Sequence, residues 1–191
     1  VYCIYISPLK ALANDISRNL LEPLKEIEEL AGKELGIKVS IRTGDTKASE
    51  KASMLKKPPH ILITTPESFA IMLSTIKFKE NLKGVQWCVI DEIHALASSK
   101  RGAHLSLSLE RLQAQGYFTR IGLSATVAPL EEVAKFLVGV DPETGEPRDC
   151  KIVDVNFAKQ LDLKVLSPVP NMMKASYDQL NNATYNLIDE L

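Results

Sequence analysis

Two adjacent carboxylates, Asp91 and Glu92, end the apolar run Trp87-Cys88-Val89-Ile90, and His94 stands two residues beyond. The run reads as a buried parallel strand, and open α/β sheets place their ligands at the carboxyl ends of such strands. Two acids there have a joint use in nucleotide hydrolysis. The first can hold Mg²⁺, directly or through its water shell, and the second can polarise or position the attacking water. His94 could then sense the nucleotide state. A lone pair of this kind is as readily a strand running into a solvated acidic turn, so the rest of the chain has to decide.

Three other strand-like runs end in small, polar or turn-forming residues: Ser7-Pro8-Leu9-Lys10, Thr64-Thr65-Pro66-Glu67-Ser68 and Ser124-Ala125-Thr126. The elements that would position them alternate. Strand patterns cover residues 1–7, 37–42, 60–64, 85–90 and 119–123. A helical pattern follows Pro8, with Leu12, Ile16, Leu20, Leu24, Ile27 and Leu30 spaced by three or four, and Pro23 is expected to kink or divide it. Further helices are expected over 47–55, 103–113, 128–137 and 183–191. The turn Thr43-Gly44-Asp45-Thr46 would cap the helix after it, and Thr65 would cap a helix with Pro66 at its first position and Phe69, Met72 and Leu73 inside. Such alternation with short connections predicts a mostly parallel sheet with helices on both faces, so that all four polar strand ends share one edge. Past residue 140 the polar turn Asp141-Pro142-Glu143-Thr144-Gly145-Glu146-Pro147 precedes two strand-like runs, 151–155 and 161–166.

Composition excludes several classes. The 45% hydrophobic and 25% charged content of these 191 residues is that of a globular protein with a full core. A net charge of −1 argues against a strongly basic DNA-wrapping protein, though not against a motor with a local basic track. No stretch nears the ~18 consecutive apolar residues of a membrane span, so no membrane partner is expected. Cys3, Cys88 and Cys150 lie in or beside strand-like runs, which suits reduced thiols in the cytoplasm rather than disulfides or zinc. Lys47, Lys51, Lys56 and Lys57 read as a solvated helix face. Lys100 and Arg101 stay open between contacting a strand and ending a loop.

As an ordered set these motifs resemble the first RecA-like motor domain of a superfamily-two helicase of the DExH type, and within it the Lhr (large helicase-related) family. The residues concerned are Tyr5-Ile6-Ser7-Pro8-Leu9-Lys10-Ala11-Leu12 with Asn14-Asp15, Arg42-Thr43-Gly44-Asp45-Thr46, Thr64–Ser68, Asp91-Glu92-Ile93-His94 and Ser124-Ala125-Thr126. The runs on to Ser99-Lys100-Arg101-Gly102-Ala103-His104 and through Pro129-Leu130-Glu131-Glu132-Val133-Ala134 are similar to Lhr proteins in particular. The resemblance implies a P-loop NTPase type of fold, ATP and Mg²⁺ as cofactors, and DNA as the partner, single-stranded or partly duplex, with RNA as the alternative.

By the same resemblance, Asp91 would hold the hydrated Mg²⁺, Glu92 would orient the water, and His94 would couple the nucleotide to Ser124, Ala125 and Thr126. Pro8, Leu9 and Lys10, Arg42, Thr43 and Gly44, and Thr65, Pro66, Glu67 and Ser68 would face a nucleic-acid strand. Residues 1–140 would be the RecA-like domain, and 141–191 its end and a connector toward a second RecA-like domain. One departure stands out: G-x-x-x-x-G-K-[ST] occurs nowhere in the chain. The phosphate loop is therefore expected upstream of Val1 in a longer parent, with the sheet truncated at its start. The chain alone is expected to have no meaningful ATPase or unwinding activity. A non-hydrolysing module that binds nucleic acid or a partner is the alternative.

Overall fold

The structure is a computed structural model that describes residues 1–125, 129–154, 166–171 and 173–189. It divides into two compact units, Val1–Ile152 and Val153–Leu191.

In the first unit five short strands, β1 (Cys3–Ile6), β2 (Val39–Arg42), β3 (Ile61–Thr64), β4 (Trp87–Ile90) and β5 (Thr119–Gly122), form one sheet in the order β2-β3-β1-β4-β5. Every pairing is parallel, as the sequence pattern requires. The strands are joined by α1 (Lys10–Ala31), α2 (Ala48–Lys56), α3 (Pro66–Ser74), α4 (Ile76–Leu82), α5 (Ile93–Ala97) and α6 (Lys100–Gln113), and α7 (Leu130–Val138) follows β5. Only the β1-to-β2 crossover runs toward the β2 edge. Right-handed crossovers therefore put α1 on one face and α2 through α6 on the other. The contacts agree: α1 packs on β2 and β3, and α3 packs on α4 and α6.

The core lies under the α2–α6 face. Ile4, Ile6, Leu62, Cys88 and Ile90 point into it from the sheet and meet Phe69, Met72, Phe78, Leu82, Leu105 and Leu109. Each such side chain stabilises by about 1.5–3 kcal/mol when fully buried. Among the alternate positions on the strands Ile63 is fully buried, while Cys3, Tyr5 and Val89 are half-buried and Trp87 is exposed.

Several sequence expectations need correction. Pro23 does not divide α1, which runs unbroken from Lys10 to Ala31 and ends at Gly32 in the left-handed conformation, φ 63°. The loss of one ladder hydrogen bond in 22 residues is offset by the turns on either side. The Thr43–Thr46 turn does not cap α2, whose N-cap is Lys47 without a side-chain bond; the Thr46 hydroxyl accepts from Thr43 N–H instead (2.9 Å). The helices α4 and α5 were not anticipated, and α6 begins three residues before its apolar pattern does. Residues 151–154 form no strand; residues 155–165 of the two expected runs lie outside the described residues.

In the second unit the one helix among the described residues is α8 (Tyr177–Asp189), which starts six residues before the expected 183. No helix among the described residues is long and apolar enough to cross a membrane.

Candidate functional site

Strand register brings the candidate residues together. Arg42 pairs with Thr64, Thr64 with Ile6, Ile6 with Ile90, and Ile90 with Gly122, so all five strands end on one line. The residues just past that line are Thr43, Thr65, Ser7, Asp91 and Leu123-Ser124. Successive backbone bonds tie the exits to the sheet: Ser7 N–H donates to Thr64 O (3.0 Å), Asp91 N–H to Ile6 O (2.9 Å), and Leu123 N–H to Ile90 O (2.8 Å). Chain connections leave β1 and β4 in opposite directions, so Ser7-Pro8 and Asp91-Glu92 flank the crevice where open parallel sheets bind ligands.

The acidic pair turns abruptly into α5. Asp91 Oδ1 accepts from Glu92 N–H (2.9 Å), and Glu92 takes the left-handed conformation, φ 48°, alone among the described non-glycine residues. That backbone is costly for a side-chain-bearing residue and clusters at functional sites. It aims the Glu92 carboxylate at His94 Nε2 (3.3 Å), while His94 Nδ1 meets Ser124 Oγ (3.1 Å). The chain Glu92–His94–Ser124 thus joins the end of β4 to the end of β5. Ser124 Oγ also donates to Ala125 O (2.8 Å); Thr126 lies outside the described residues.

Tyr5, whose part in the site sequence reasoning missed, lies beside the pair. Its phenol is pushed up to about 12, first by burial, then by the charge of Asp91 and a hydrogen bond to it, and by the charge of Glu92. Its position in β1, one residue before the last of the strand, was the available signal.

The expected strand-facing residues separate into buried and exposed groups. Pro8, Thr43, Thr65, Pro66 and Ser68 are buried, and Leu9, Lys10, Gly44 and Glu67 are exposed. Thr65 caps α3 as expected, its hydroxyl accepting from Ser68 N–H (3.5 Å) with Pro66 at the first position. Arg42 turns inward: its guanidinium lies over the Phe78 ring at 4.1 Å, and its Nη1 has no hydrogen-bond partner among the described residues. Burial lowers its pKa. Lys10 Nζ is held by both Asp45 carboxylate oxygens, each at 2.8 Å. Arg101 donates from Nε to Glu67 Oε1 (2.6 Å) and from Nη2 to Pro8 O (2.7 Å). Burial works to raise the Glu67 pKa, but the hydrogen bond and charge of Arg101, with bonds from its own backbone N–H and from Thr65, bring it below the ordinary value.

No cluster of three or more His, Cys, Asp or Glu side chains among the described residues could hold a metal by itself. A single carboxylate at a strand end does suit Mg²⁺, which keeps most of its water shell and takes its other ligands from phosphates.

A parallel sheet with an acidic pair at its carboxyl edge, flanked by capped turns, is the α/β RecA-like architecture of helicases, and the solved structures bear this out. Over its whole length the chain is similar to the Mycobacterium smegmatis helicase Lhr bound to ssDNA and AMP-PNP (TM-score 0.71, 40% identity, 25% of that chain covered). Over 76% of its length it is similar to the DUF1998 helicase MrfA bound to DNA and AMPPNP (TM-score 0.61, 26% identity, 20% of that chain). The chain belongs to the DEAD/DEAH box helicase family, whose model matches residues 1–135. Its relatives place it on the Lhr branch. It is 56% identical over 195 residues to the ATP-dependent helicase Lhr-Core of Methanothermobacter thermautotrophicus, with all of this chain and 22% of that protein covered. The chain thus spans about a fifth of the length of the relatives it matches.

Proposed function

We propose that these residues are the acid-bearing and strand-facing part of the first motor domain of an ATP-dependent helicase or translocase that moves on single-stranded or partly duplex DNA. The observation that carries this reading is the common register of the five strand ends, which sets Asp91-Glu92 beside the turns at Ser7-Pro8, Thr65-Pro66 and Thr43-Gly44. Asp91 would hold Mg²⁺, and Glu92 would orient the hydrolytic water. His94 passes the state of Glu92 to Ser124 through its two ring nitrogens. Bound Mg²⁺ would neutralise the charge that develops on the transferring phosphate.

On the strand side, the turn after Pro8, the N-terminus of α3 at Thr65–Ser68 and the Thr43-Gly44 turn offer backbone N–H groups and a helix dipole to phosphates, contacts that ignore sequence. Leu9, Lys10, Gly44 and Glu67 form the accessible rim, whereas Arg42 supports the rim from below against Phe78. No glycine-rich phosphate loop occurs in these residues. Hydrolysis accordingly belongs to the parent protein, where an upstream loop and a second RecA-like domain complete the site, and the chain by itself turns over no ATP. A cytoplasmic setting goes with this reading, since a reducing compartment keeps thiols such as Cys3, Cys88 and Cys150 unpaired.

The test is ATP turnover by the full-length protein against single-stranded DNA and, separately, RNA, for wild type and Glu92→Gln. DNA-stimulated turnover that Glu92→Gln abolishes while ATP still binds supports the motor. Stimulation by RNA alone changes the track. Absence of turnover with either leaves the non-hydrolysing binding module.

A further inference from the structure

The motif residues leave one contact unexplained, and it connects the two halves of the site. From Glu92 the chain makes the short α5, then turns a corner in which Leu96 O accepts from Ser99 N–H (2.9 Å) and from Ser99 Oγ (2.8 Å). Ser99 Oγ in turn accepts from Gly102 N–H (3.1 Å), which caps α6. Gly102 packs so closely on Leu96 that an added Cβ would collide with the Leu96 carbonyl. Eight residues separate Glu92 from Arg101, and this corner makes the segment a stiff unit.

Arg101 is what the unit presents to the strand-facing edge. Its planar fork grips two different turns at once, the Pro8 carbonyl after β1 and the Glu67 carboxylate in the first turn of α3. A guanidinium used in this way fixes direction as well as distance, which an ammonium on a flexible stem does not. It also neutralises Glu67, an exposed carboxylate that would otherwise repel a phosphate at that rim.

We propose that Arg101 is a positioning residue through which the acidic-pair segment and the two strand-facing turns shift together, so that nucleotide state reaches the nucleic acid by this clamp. The inference rests on the motor reading above. It supplies a link to the strand-facing turns that the Glu92–His94–Ser124 chain, which runs from the end of β4 to the end of β5, does not make, and it resolves Arg101 as an internal tie rather than a phosphate ligand.

The experiment measures single-stranded DNA affinity of the full-length protein with and without a non-hydrolysable ATP analogue, over a range of salt. Wild type, Arg101→Gln and Arg101→Lys are compared, each checked by thermal melting. Couplings between two sites typically change affinity about 5–150-fold. Arg101→Gln is expected to bring that ratio to within about twofold of unity. Nucleotide affinity without DNA should stay at the wild-type value. The salt slope should change by less than about one, because no phosphate contact is removed and only the neutralisation of Glu67 is lost. Arg101→Lys, which cannot bridge both partners as a fork, is expected to fall between the two, and it carries the test if Arg101→Gln does not fold.

A wild-type ratio retained in both variants overturns the proposal. So does a salt slope that drops by about one while the ratio persists, since that marks a direct phosphate contact. Failure of the wild type to bind DNA or nucleotide sinks the motor reading itself. A wild type that binds both without coupling removes only the clamp.

Discussion

Replacing Gly102 by alanine tests the packing that holds the acidic pair against the rest of the site. A Cβ there would overlap the Leu96 carbonyl oxygen and come within 2.7 Å of its carbon, with Phe136 Cζ at 3.2 Å. The Phe136 ring can give way, but the Leu96 backbone cannot move without disturbing the corner between α5 and α6. Two hydrogen bonds converge on that carbonyl, from Ser99 N–H and Ser99 Oγ. Each contributes about 0.5–1.5 kcal/mol, so their loss costs roughly 1–3 kcal/mol. Alanine in place of glycine in a helix returns up to about 1 kcal/mol, less in the first turn. With the overlap itself adding about 1–3 kcal/mol as overpacking, the net expectation is a loss of about 1–6 kcal/mol, at a fall of about 2–4 °C in melting temperature for each kcal/mol in a chain of this size. Urea unfolding of the 191-residue chain, followed by circular dichroism, measures it. Gly116, where an added Cβ would meet only Lys83 O at 3.9 Å, gives the control Gly116→Ala. Should Gly102→Ala prove as stable as wild type, the corner is not rigid, and the stiffness assigned to the Glu92–Arg101 segment is wrong.

Besides the turnover test on Glu92→Gln and the coupling test on Arg101, two outcomes follow from the charged and sulfur groups. Burial would raise the Glu110 pKa, but hydrogen bonds and charge from Arg148 and Arg120 outweigh it and leave the carboxyl below its ordinary value. A depressed folded-state pKa means that the unfolded chain binds more protons in the acid range. The stabilisation is therefore complete above the unfolded carboxylate pKa and is lost as pH falls through the folded one. Urea midpoints from pH 7 to pH 3 should drop further for wild type than for Glu110→Gln, and parallel curves would discount the network. Cys150 is exposed and Cys88 buried, with burial pushing the Cys88 thiol far up. A thiol reagent at pH 8 should label Cys150 first and reach Cys88 only as fast as the fold opens; equal rates would contradict the core placement of β4.

Much of this molecule was legible in the sequence, because the signals are local. Runs such as Trp87–Ile90 and Ile61–Thr64 declare buried strands, and the Thr65-Pro66 cap declares the start of α3 wherever the segment is placed. Residue types at the strand ends suggested a chemistry to look for, since two acids after an apolar run and hydroxyls beside prolines have few joint uses. Local pattern could not say what pairs across the fold. Lys10 finds Asp45 35 positions away, and Arg101 finds Pro8 93 positions away. Arg42 looks like a phosphate ligand in a string of letters, yet it lies buried on Phe78, because β2 ends where α4 packs. The left-handed turn at Glu92 and the rise of the Tyr5 pKa depend on strands being set side by side in a particular order. The sequence by itself determined the alternation of strands and helices and the residues at each strand end. The tertiary structure alone decided which charges face solvent and which are neutralised inside, because that depends on partners brought together from distant parts of the chain.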